Sequence, residues 1–208
     1  MTGDPSSGST TLEDIYWRQG YRRVAGVDEV GRGSAVSAVV ACAVVLPPRL
    51  DGTVLGGVRD SKLLSRGQRR RVAPLILRTV IAVGFGAASL AEIERWNVRR
   101  ATALAMRRAL SRVDRVDVAL IDGRPMPELD DLPCRFVVDG DALSLSVACA
   151  SILAKELRDD LLIRLGRRYP AYGWDHNAGY LTTAHEAALR MAGVTPHHRR
   201  SFLGRILH

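Results

Sequence analysis

The sequence predicts an α/β fold in which helices pack against a mixed sheet. Short runs rich in Val, Ala and Ile, each ended by Gly, Pro or an acidic residue, are typical of buried strands. Longer segments carry apolar residues at helical spacing. The order along the chain is three strands, helices, two more strands and further helices, which indicates one sheet covered by helices.

Five strands are predicted, at 21–29, 36–46, 81–90, 116–123 and 134–141. The first is apolar up to Asp28-Glu29 and is broken by Gly31-Arg32-Gly33. The second is almost entirely Val and Ala, and Pro47-Pro48 ends it. Glycines in the third indicate a bulge or close packing. The fourth and fifth each end at an acidic residue beside a glycine.

Helices are predicted at 66–79, 90–112, 143–168 and 182–192, and the second of them is read as one helix or two. Ser65 is a suitable N-cap for the first, although Pro74 is unfavourable in a helix interior. With 208 residues the chain can form one well-buried core, and two full domains would be cramped. We therefore expect a mobile N-terminal tail and lead-in over 1–20 and a single domain over 21–208.

The chain is strongly basic. Lys and Arg number 30 against 22 Asp and Glu, which gives a formal net charge of +8. An Arg-rich surface suits a polyanionic partner, because guanidinium groups contact phosphate oxygens in bidentate fashion. The same composition also follows from a GC-rich genome, so charge alone leaves both explanations open.

The three cysteines, Cys42, Cys134 and Cys149, have no CxxC spacing, which argues against a zinc site. Cys42 and Cys149 lie inside apolar runs, as buried thiols of a reducing compartment do. The N-terminus lacks the apolar stretch of a signal peptide, and no run approaches the roughly 18 apolar residues of a membrane span. These observations predict a cytoplasmic protein with no membrane association.

Three acidic positions share one context: Asp28-Glu29, Asp122 and Asp141 each follow an apolar strand and adjoin a glycine or a bend. Active-site clefts of α/β sheets commonly lie beyond strand ends, so these carboxylates are candidates to converge on one edge. Converging carboxylates repel one another, and a divalent cation such as Mg²⁺ or Mn²⁺ removes that repulsion. The pattern indicates metal-dependent phosphoryl chemistry without identifying a substrate.

The alternative is that each acid is a turn residue that bonds its own backbone. Asp28 and Glu29 add a geometric difficulty, since neighbours on a regular strand face opposite ways. Both can reach one site only if the strand bends nearby, and Gly31-Arg32-Gly33 makes such a bend feasible.

Six blocks of the sequence together resemble the motifs of one family. They are VAGVDEVGRG, RDSKLLS, ALIDGR, GDALSLSVACASILAKELRD, YPAYGWDHNAGYLTTAH and HHRRSF. In this order they are similar to the motif blocks of bacterial ribonuclease HII, the type 2 ribonuclease H family. The resemblance runs from residue 24 to residue 202, most of the chain.

The resemblance implies a ribonuclease H-like core, a mixed five-stranded sheet flanked by helices, with a small helical C-terminal extension over residues 169–208. It implies an endonuclease that hydrolyses the RNA strand of RNA–DNA hybrids and cuts 5′ to ribonucleotides embedded in duplex DNA, in DNA replication and repair. The family's catalytic, metal-binding carboxylates fall on Asp28, Glu29, Asp122 and Asp141. The cofactor implied is Mn²⁺ or Mg²⁺, with two ions in the catalytic complex.

The resemblance also implies substrate-binding residues. Gly31, Arg32 and Gly33 resemble the family segment that reads the ribonucleotide 2′-hydroxyl through the backbone, and only that hydroxyl distinguishes RNA from DNA. Tyr180 resembles the tyrosine that stacks on the sugar after the ribonucleotide, whereas without the resemblance it reads as a core residue. Ser61 and Lys62 resemble residues beside the substrate backbone and are expected to be further substrate contacts. The block from Ser144 to Lys155 is interpreted as architectural, apart from Lys155, which is compatible with a solvated helix position.

The chain departs from the family pattern in three places. Ser34-Ala35-Val36-Ser37-Ala38 replaces a common Pro-Leu-Ala-Gly-Pro, which predicts a looser or reshaped segment after Gly33. Asp139 and Ala178 stand where Lys is common.

These departures motivate an alternative function, a hybrid-binding protein of the same fold with weakened catalysis. A second alternative is a ribonuclease restricted to long hybrids. The expected partners are RNA–DNA hybrids and DNA duplexes that contain ribonucleotides. We expect a monomer with no obligate protein partner.

Overall fold

The computed structural model describes residues 11–48, 50, 54–58, 64–204 and 206. Its centre is a five-stranded sheet in the order β3-β2-β1-β4-β5. The strands are β1 (Val24–Val30), β2 (Val39–Val45), β3 (Ala82–Ala88), β4 (Val118–Asp122) and β5 (Cys134–Val137). β1 runs antiparallel to β2 and β2 to β3, whereas β1 with β4 and β4 with β5 are parallel. The mixed α/β sheet that the sequence predicts is confirmed.

The helices of the described residues surround this sheet. They are α1 (Leu12–Arg18), α2 (Arg66–Thr79), α3 (Leu90–Leu110), α4 (Gly140–Leu143), α5 (Leu145–Arg168), α6 (Trp174–Asn177) and α7 (Thr183–Ala192). The prediction of a helix at 66–79 is confirmed with Pro74 inside it. The choice between one helix and two at 90–112 is settled by a kink at Asn97, where φ is +71°.

The sheet is covered on both faces, which explains why its strands are continuously apolar. Alternate residues of β2 point to opposite sides: Ala41 and Ala43 belong to the core under α3, while Cys42 and Val44 belong to the core under α5. The side chains between the strands and the helices are small, so the helices approach the sheet closely. Cys42 and Cys149 are buried free thiols, as predicted.

The N-terminal lead-in differs from the prediction of a mobile segment, because Leu12–Arg18 forms α1. Glu13 explains the difference. Its carboxylate is fully buried and accepts hydrogen bonds from Ser144 Oγ (2.5 Å), Ser146 N (2.8 Å) and Ser146 Oγ (2.5 Å). It thus places an acceptor on the N-terminal turn of α5, where backbone N–H groups lack helical partners.

The C-terminal residues form a small hydrophobic cluster of their own beside α5. Its buried members are Ala35, Val36, Leu162, Tyr172, Trp174, Leu189 and Leu203. Ala35 and Val36 come from the segment after β1, so this cluster joins the C-terminal residues to the edge of the sheet. No helix among the described residues is both long enough and apolar enough to cross a membrane.

A pair of buried histidines lies in this C-terminal cluster. His185 Nδ1 lies 2.8 Å from the Tyr180 carbonyl oxygen, and its Nε2 lies 3.1 Å from both Trp174 Nε1 and His198 Nε2. Thr195 donates its N–H to His198 Nδ1. Two neutral rings account for these contacts. His185 donates from Nδ1 to the Tyr180 carbonyl, and His198 donates from Nε2 to His185 Nε2.

We expect acid to destabilise the fold through this pair. Burial, reinforced by His185 and His197, lowers the pKa of His198 to about 4. A depressed pKa means that the stabilising neutral form is fully present above the unfolded value near 6.5 and is lost as pH falls toward 4. His198→Gln keeps a donor toward His185 but does not titrate in this range. Urea unfolding at pH 7 and pH 4.5 measures the effect.

The wild-type protein should lose more stability between these two pH values than the Gln variant does, by up to about 3 kcal/mol. The other titratable groups are the same in both proteins, so their contributions cancel in the comparison. Equal losses in the two proteins would show that the histidine pair is not responsible.

Candidate active site

The predicted acidic residues lie at one edge of the sheet. Val27 of β1 pairs with Ile121 of β4 in parallel register. The next residues of the two strands, Asp28 and Asp122, therefore lie side by side near the C-terminal ends of these strands. A cavity of about 460 Å³ opens at this edge. Its described lining residues are Asp28, Glu29, Val30, Gly31, Arg32, Gly33, Arg69, Asp122, Ser151, Lys155 and Tyr180.

Asp28 is the most strongly perturbed acid of this cavity. Its side chain is only 6% exposed, and it accepts hydrogen bonds from the Glu29 backbone N–H and the Ser151 side chain. Burial, followed by repulsion from the Glu29 and Asp122 carboxylates, raises the pKa of Asp28 to about 7. The repulsion that the sequence pattern predicted is therefore present between these carboxylates.

Glu29 reaches the same cavity as Asp28, although neighbours on a strand face opposite ways. β1 continues to Val30, and Gly31 then turns the chain with φ at +95°. Burial raises the pKa of Glu29, while Arg32, whose Nη1 lies 3.3 Å from Glu29 Oε1, opposes that rise. The turn at Gly31 thus brings the Arg32 guanidinium back to the Glu29 carboxylate.

Asp122 and Asp141 are linked through the chain between them. Asp122 Oδ1 accepts a hydrogen bond of 2.7 Å from the N–H of Gly140, the first residue of α4. Asp141 follows it in the first turn of α4 and is 5% exposed. It is not among the described residues that line the cavity. The structure therefore brings Asp28, Glu29 and Asp122 together in the cavity wall, and Asp141 directly follows the residue that binds Asp122.

These acids are suited in kind and position to a divalent cation. Carboxylate oxygens are the ligands that Mg²⁺ and Mn²⁺ prefer, and a cation removes the repulsion that raises the pKa of Asp28. As arranged, no cluster of three or more acidic, His or Cys side chains within the described ranges is compact enough to hold an ion. Glu29 is turned to Arg32 and Asp122 to Gly140, so binding requires these side chains to rotate.

Gly33 and Tyr180 meet at the mouth of the cavity. A Cβ added at Gly33 would lie 3.3 Å from Tyr180 Cε1, so the ring lies against the glycine backbone. Tyr180 is 49% exposed, which is inconsistent with a core residue and leaves a ring face open to a ligand. Ser61 and Lys62, the other predicted substrate contacts, lie outside the described residues.

The sequence analysis missed three further residues of the cavity wall, Ser151, Lys155 and Arg69. Ser151 belongs to the block interpreted as architectural, and Lys155 is interpreted as a solvated position, whereas both line the cavity. Their spacing of four on α5 is the available signal, because it places both on one helix face. Lys155 Nζ lies 2.8 Å from Asp159, and Arg69 binds Glu156 as well as Asp159, so both cations are held by carboxylates.

The segment that replaces the family's proline-rich sequence is buried. Ser34, Ala35, Val36 and Ser37 are all buried. The N–H of Ala35 donates to the Gly179 carbonyl and that of Ser37 to the His197 carbonyl. The prediction of a looser or reshaped segment stays a prediction, and the structure adds that backbone hydrogen bonds hold these residues against the C-terminal part of the chain.

The other two positions at which the chain departs from the family pattern have unusual backbone conformations. Asp139 and Ala178 have φ of +54° and +50°, a left-handed region that side chains rarely adopt. Asp139 is exposed and begins the turn that brings Gly140 to Asp122, whereas the Ala178 carbonyl points into the protein, where it accepts from Ser34 Oγ. Both departures therefore act on backbone geometry near the acids.

Comparisons with known proteins agree with one another. The family described as Ribonuclease HII matches residues 25–204. Ribonuclease HII of Synechococcus sp. (strain JA-3-3Ab) is 52% identical over 194 residues, which cover 93% of this chain and 87% of that protein. The ribonuclease H2 structure from Pyrococcus horikoshii OT3 superposes with a TM-score of 0.75 at 24% identity, covering 88% of this chain and 96% of that one.

A third similarity concerns a metal-bound structure. The crystal structure of Bst-RNase HIII in complex with Mn²⁺ superposes with a TM-score of 0.67 at 19% identity and covers 97% of this chain and 71% of that one. At this identity the likeness concerns the fold, and it shows that the same mixed sheet with flanking helices recurs among ribonucleases H.

Proposed function

Since the chain belongs to the ribonuclease HII family and is a ribonuclease H endonuclease, we propose that it hydrolyses the RNA strand of hybrids and cuts 5′ to ribonucleotides embedded in duplex DNA. The observation that carries this proposal is one cavity lined by Asp28, Glu29 and Asp122 and, at its mouth, by Gly33 and Tyr180. It combines acids for phosphodiester hydrolysis with a backbone segment that a sugar can approach.

Asp28, Glu29, Asp122 and Asp141 would hold Mg²⁺ or Mn²⁺ in this proposal. Bound divalent ions, two in the catalytic complex, supply charge to activate water and to stabilise the leaving oxygen. The fit rests on the acids themselves: three line one cavity, and burial together with their mutual repulsion raises the pKa of Asp28. The RNA–DNA specificity is inferred from the family, and the products would carry 5′-phosphate and 3′-hydroxyl ends.

The remaining residues of the cavity would bind and orient the substrate. Lys155 and Arg69 place positive charge in the wall, where a phosphate of the cleaved strand would pass. The exposed face of Tyr180 would stack on the sugar that follows the ribonucleotide. Gly33 is exposed, and neither it nor Gly31 carries a Cβ that would shield its backbone groups, so this segment is suited to contact a 2′-hydroxyl.

A cleavage assay tests the function. The substrates are a DNA duplex with one embedded ribonucleotide, its all-DNA counterpart and an all-RNA hybrid, each incubated with Mg²⁺ and Mn²⁺ in parallel and with EDTA as a control. We expect a cut 5′ to the single ribonucleotide, none in the all-DNA duplex, and none in EDTA. Cleavage of the long hybrid alone would restrict the function to hybrids. Tight binding without product would indicate the weakened hybrid-binding protein, which the relatives do not favour.

A further inference from the structure

Two fully buried arginines lie directly behind the candidate site. Arg158 on α5 is 1% exposed, and Arg199 near the C-terminus is 0% exposed. Within the described part of the chain, neither guanidinium lies within ion-pair distance of a carboxylate. Burial of a charge is unfavourable unless other groups compensate it, so these two arginines must be stabilised by groups other than carboxylates.

Both guanidinium groups bind backbone carbonyls of one segment, residues 31–38, which we call the reading loop. Arg158 donates to the carbonyls of Val36 (3.0 Å) and Ala38 (3.3 Å). Arg199 donates to those of Ser37 (2.8 Å) and Arg32 (3.0 Å). The two side chains therefore bind carbonyls along the whole loop from its buried side.

Arg158 also connects the reading loop to the segment that bears Tyr180. Its Nη1 donates to the Ala178 carbonyl at 3.2 Å, two residues before the tyrosine. Arg199 links the same loop to the C-terminal residues, since its backbone N–H donates to the Ala35 carbonyl at 2.8 Å. Arg158 thus bridges the segments that carry Gly33 and Tyr180, which are far apart in sequence, and Arg199 holds the loop from a third segment.

Gly31 shows how closely the guanidinium packs. A Cβ built on Gly31 would lie 2.2 Å from Arg158 Nε, and the φ of this glycine is +95°. The backbone of the loop therefore rests directly on the Arg158 side chain, and its path is determined by that side chain. Residues 34–38 contain no proline that would stiffen them independently.

We propose that Arg158 and Arg199 are positioning residues that fix the backbone of the reading loop and thereby set selectivity for a ribonucleotide at the cleavage junction. This inference rests on the proposed function, in which the loop contacts the 2′-hydroxyl. A planar fork with five N–H donors binds several carbonyls in fixed directions, which a lysine ammonium does not. An apolar side chain of the same size would leave the carbonyls of Val36 and Ser37 without these donors, so the backbone of the loop depends on the two guanidinium groups.

The test measures how strongly the protein discriminates between a duplex with one ribonucleotide and an all-DNA duplex. Arg158→Lys and Arg199→Lys are each combined with Asp122→Asn, so that substrate is bound without being cut. Fluorescence anisotropy then gives Kd for the duplex with one ribonucleotide and for its all-DNA counterpart. The discrimination ratio is the Kd for the all-DNA duplex divided by the Kd for the duplex with one ribonucleotide. We expect this ratio to fall at least about tenfold in each Lys variant, since displacement of aligned groups by 1 Å has effects of this size or larger.

Leu189→Ala is the matched control. Leu189 is 4% exposed in the same C-terminal cluster, so its truncation should destabilise the fold without removing a hydrogen bond from the loop. Its discrimination ratio should equal that of the parent protein. Circular dichroism identifies any Lys variant that does not fold, and the other Lys variant then decides.

Unchanged ratios in the folded Lys variants would overturn the inference, as would an equal fall in Leu189→Ala, which would make the effect one of stability. Failure of the proposed function would give a different result. In that case Asp122→Asn without a Lys substitution would show no preference for the duplex with one ribonucleotide, and the wild-type protein would not cut that duplex.

Discussion

Asp122→Asn should reduce cleavage of a duplex with one embedded ribonucleotide at least about 100-fold, because even partners of metal ligands contribute 10–100-fold. The fold should persist. The Asn side chain keeps the oxygen that accepts the 2.7 Å hydrogen bond from Gly140, and it removes one charge from a group of acids that repel one another. Single-turnover cleavage in Mg²⁺ and in Mn²⁺ measures the loss, and thermal unfolding verifies the fold.

Asp117→Asn is the control for this substitution. Asp117 lies just before β4, at the opposite end of that strand from Asp122, and its carboxylate accepts from the backbone N–H groups of Arg22 and Arg23. Its replacement removes a charge of the same sign from the same part of the fold, so cleavage should continue at the wild-type rate. Wild-type cleavage by Asp122→Asn would refute the assignment of the acids as metal ligands.

The acids at the strand ends were predictable because their signal is local. An apolar run that ends at Asp28 or at Asp122 is visible in a few residues, and parallel strands bring such ends to one edge. The structure adds what a strand pattern does not contain. It shows that Glu29 shares the cavity with Asp28 and that the N–H of Gly140, next to Asp141, donates to Asp122.

The supports of the site were not predictable, because they are contacts between distant segments. Glu13 binds Ser144 across 131 residues, and Arg158 binds the Val36 carbonyl across 122. A charged residue reads as solvated unless its partner is known, and neither a serine hydroxyl nor a backbone carbonyl signals such a pairing in the sequence. The packing of segment 34–38 was not predictable for the same reason, because its partners are Arg158, Arg199 and the C-terminal residues.

Gly26→Ala is expected to have the largest effect on stability. A Cβ at Gly26 would lie 2.2 Å from the carbonyl carbon of Ser146 and 2.2 Å from the backbone N of Val147. These are backbone atoms of α5, so no side chain can rotate away, and the whole helix must shift. We expect a loss of about 3 kcal/mol or more in urea unfolding, at or beyond the upper end for overpacked cores.

Gly67→Ala is the opposite case and serves as the control. Gly67 lies in α2 with no atom within 4 Å of an added Cβ, so alanine should stabilise the protein by up to about 1 kcal/mol. The two glycine substitutions should therefore change stability in opposite directions. A small effect at Gly26 would mean that α5 adjusts freely against β1.

The close approach at Gly26 also matters for the site. α5 begins beside this glycine and carries Ser151, whose side chain donates to Asp28 two residues further along β1. A helix displaced from the sheet would carry Ser151 and Lys155 away from the acids together. Any Gly26→Ala protein that remains folded should therefore cleave more slowly than wild type, because the wall of the cavity and its acids belong to two elements held at a distance that only glycine permits.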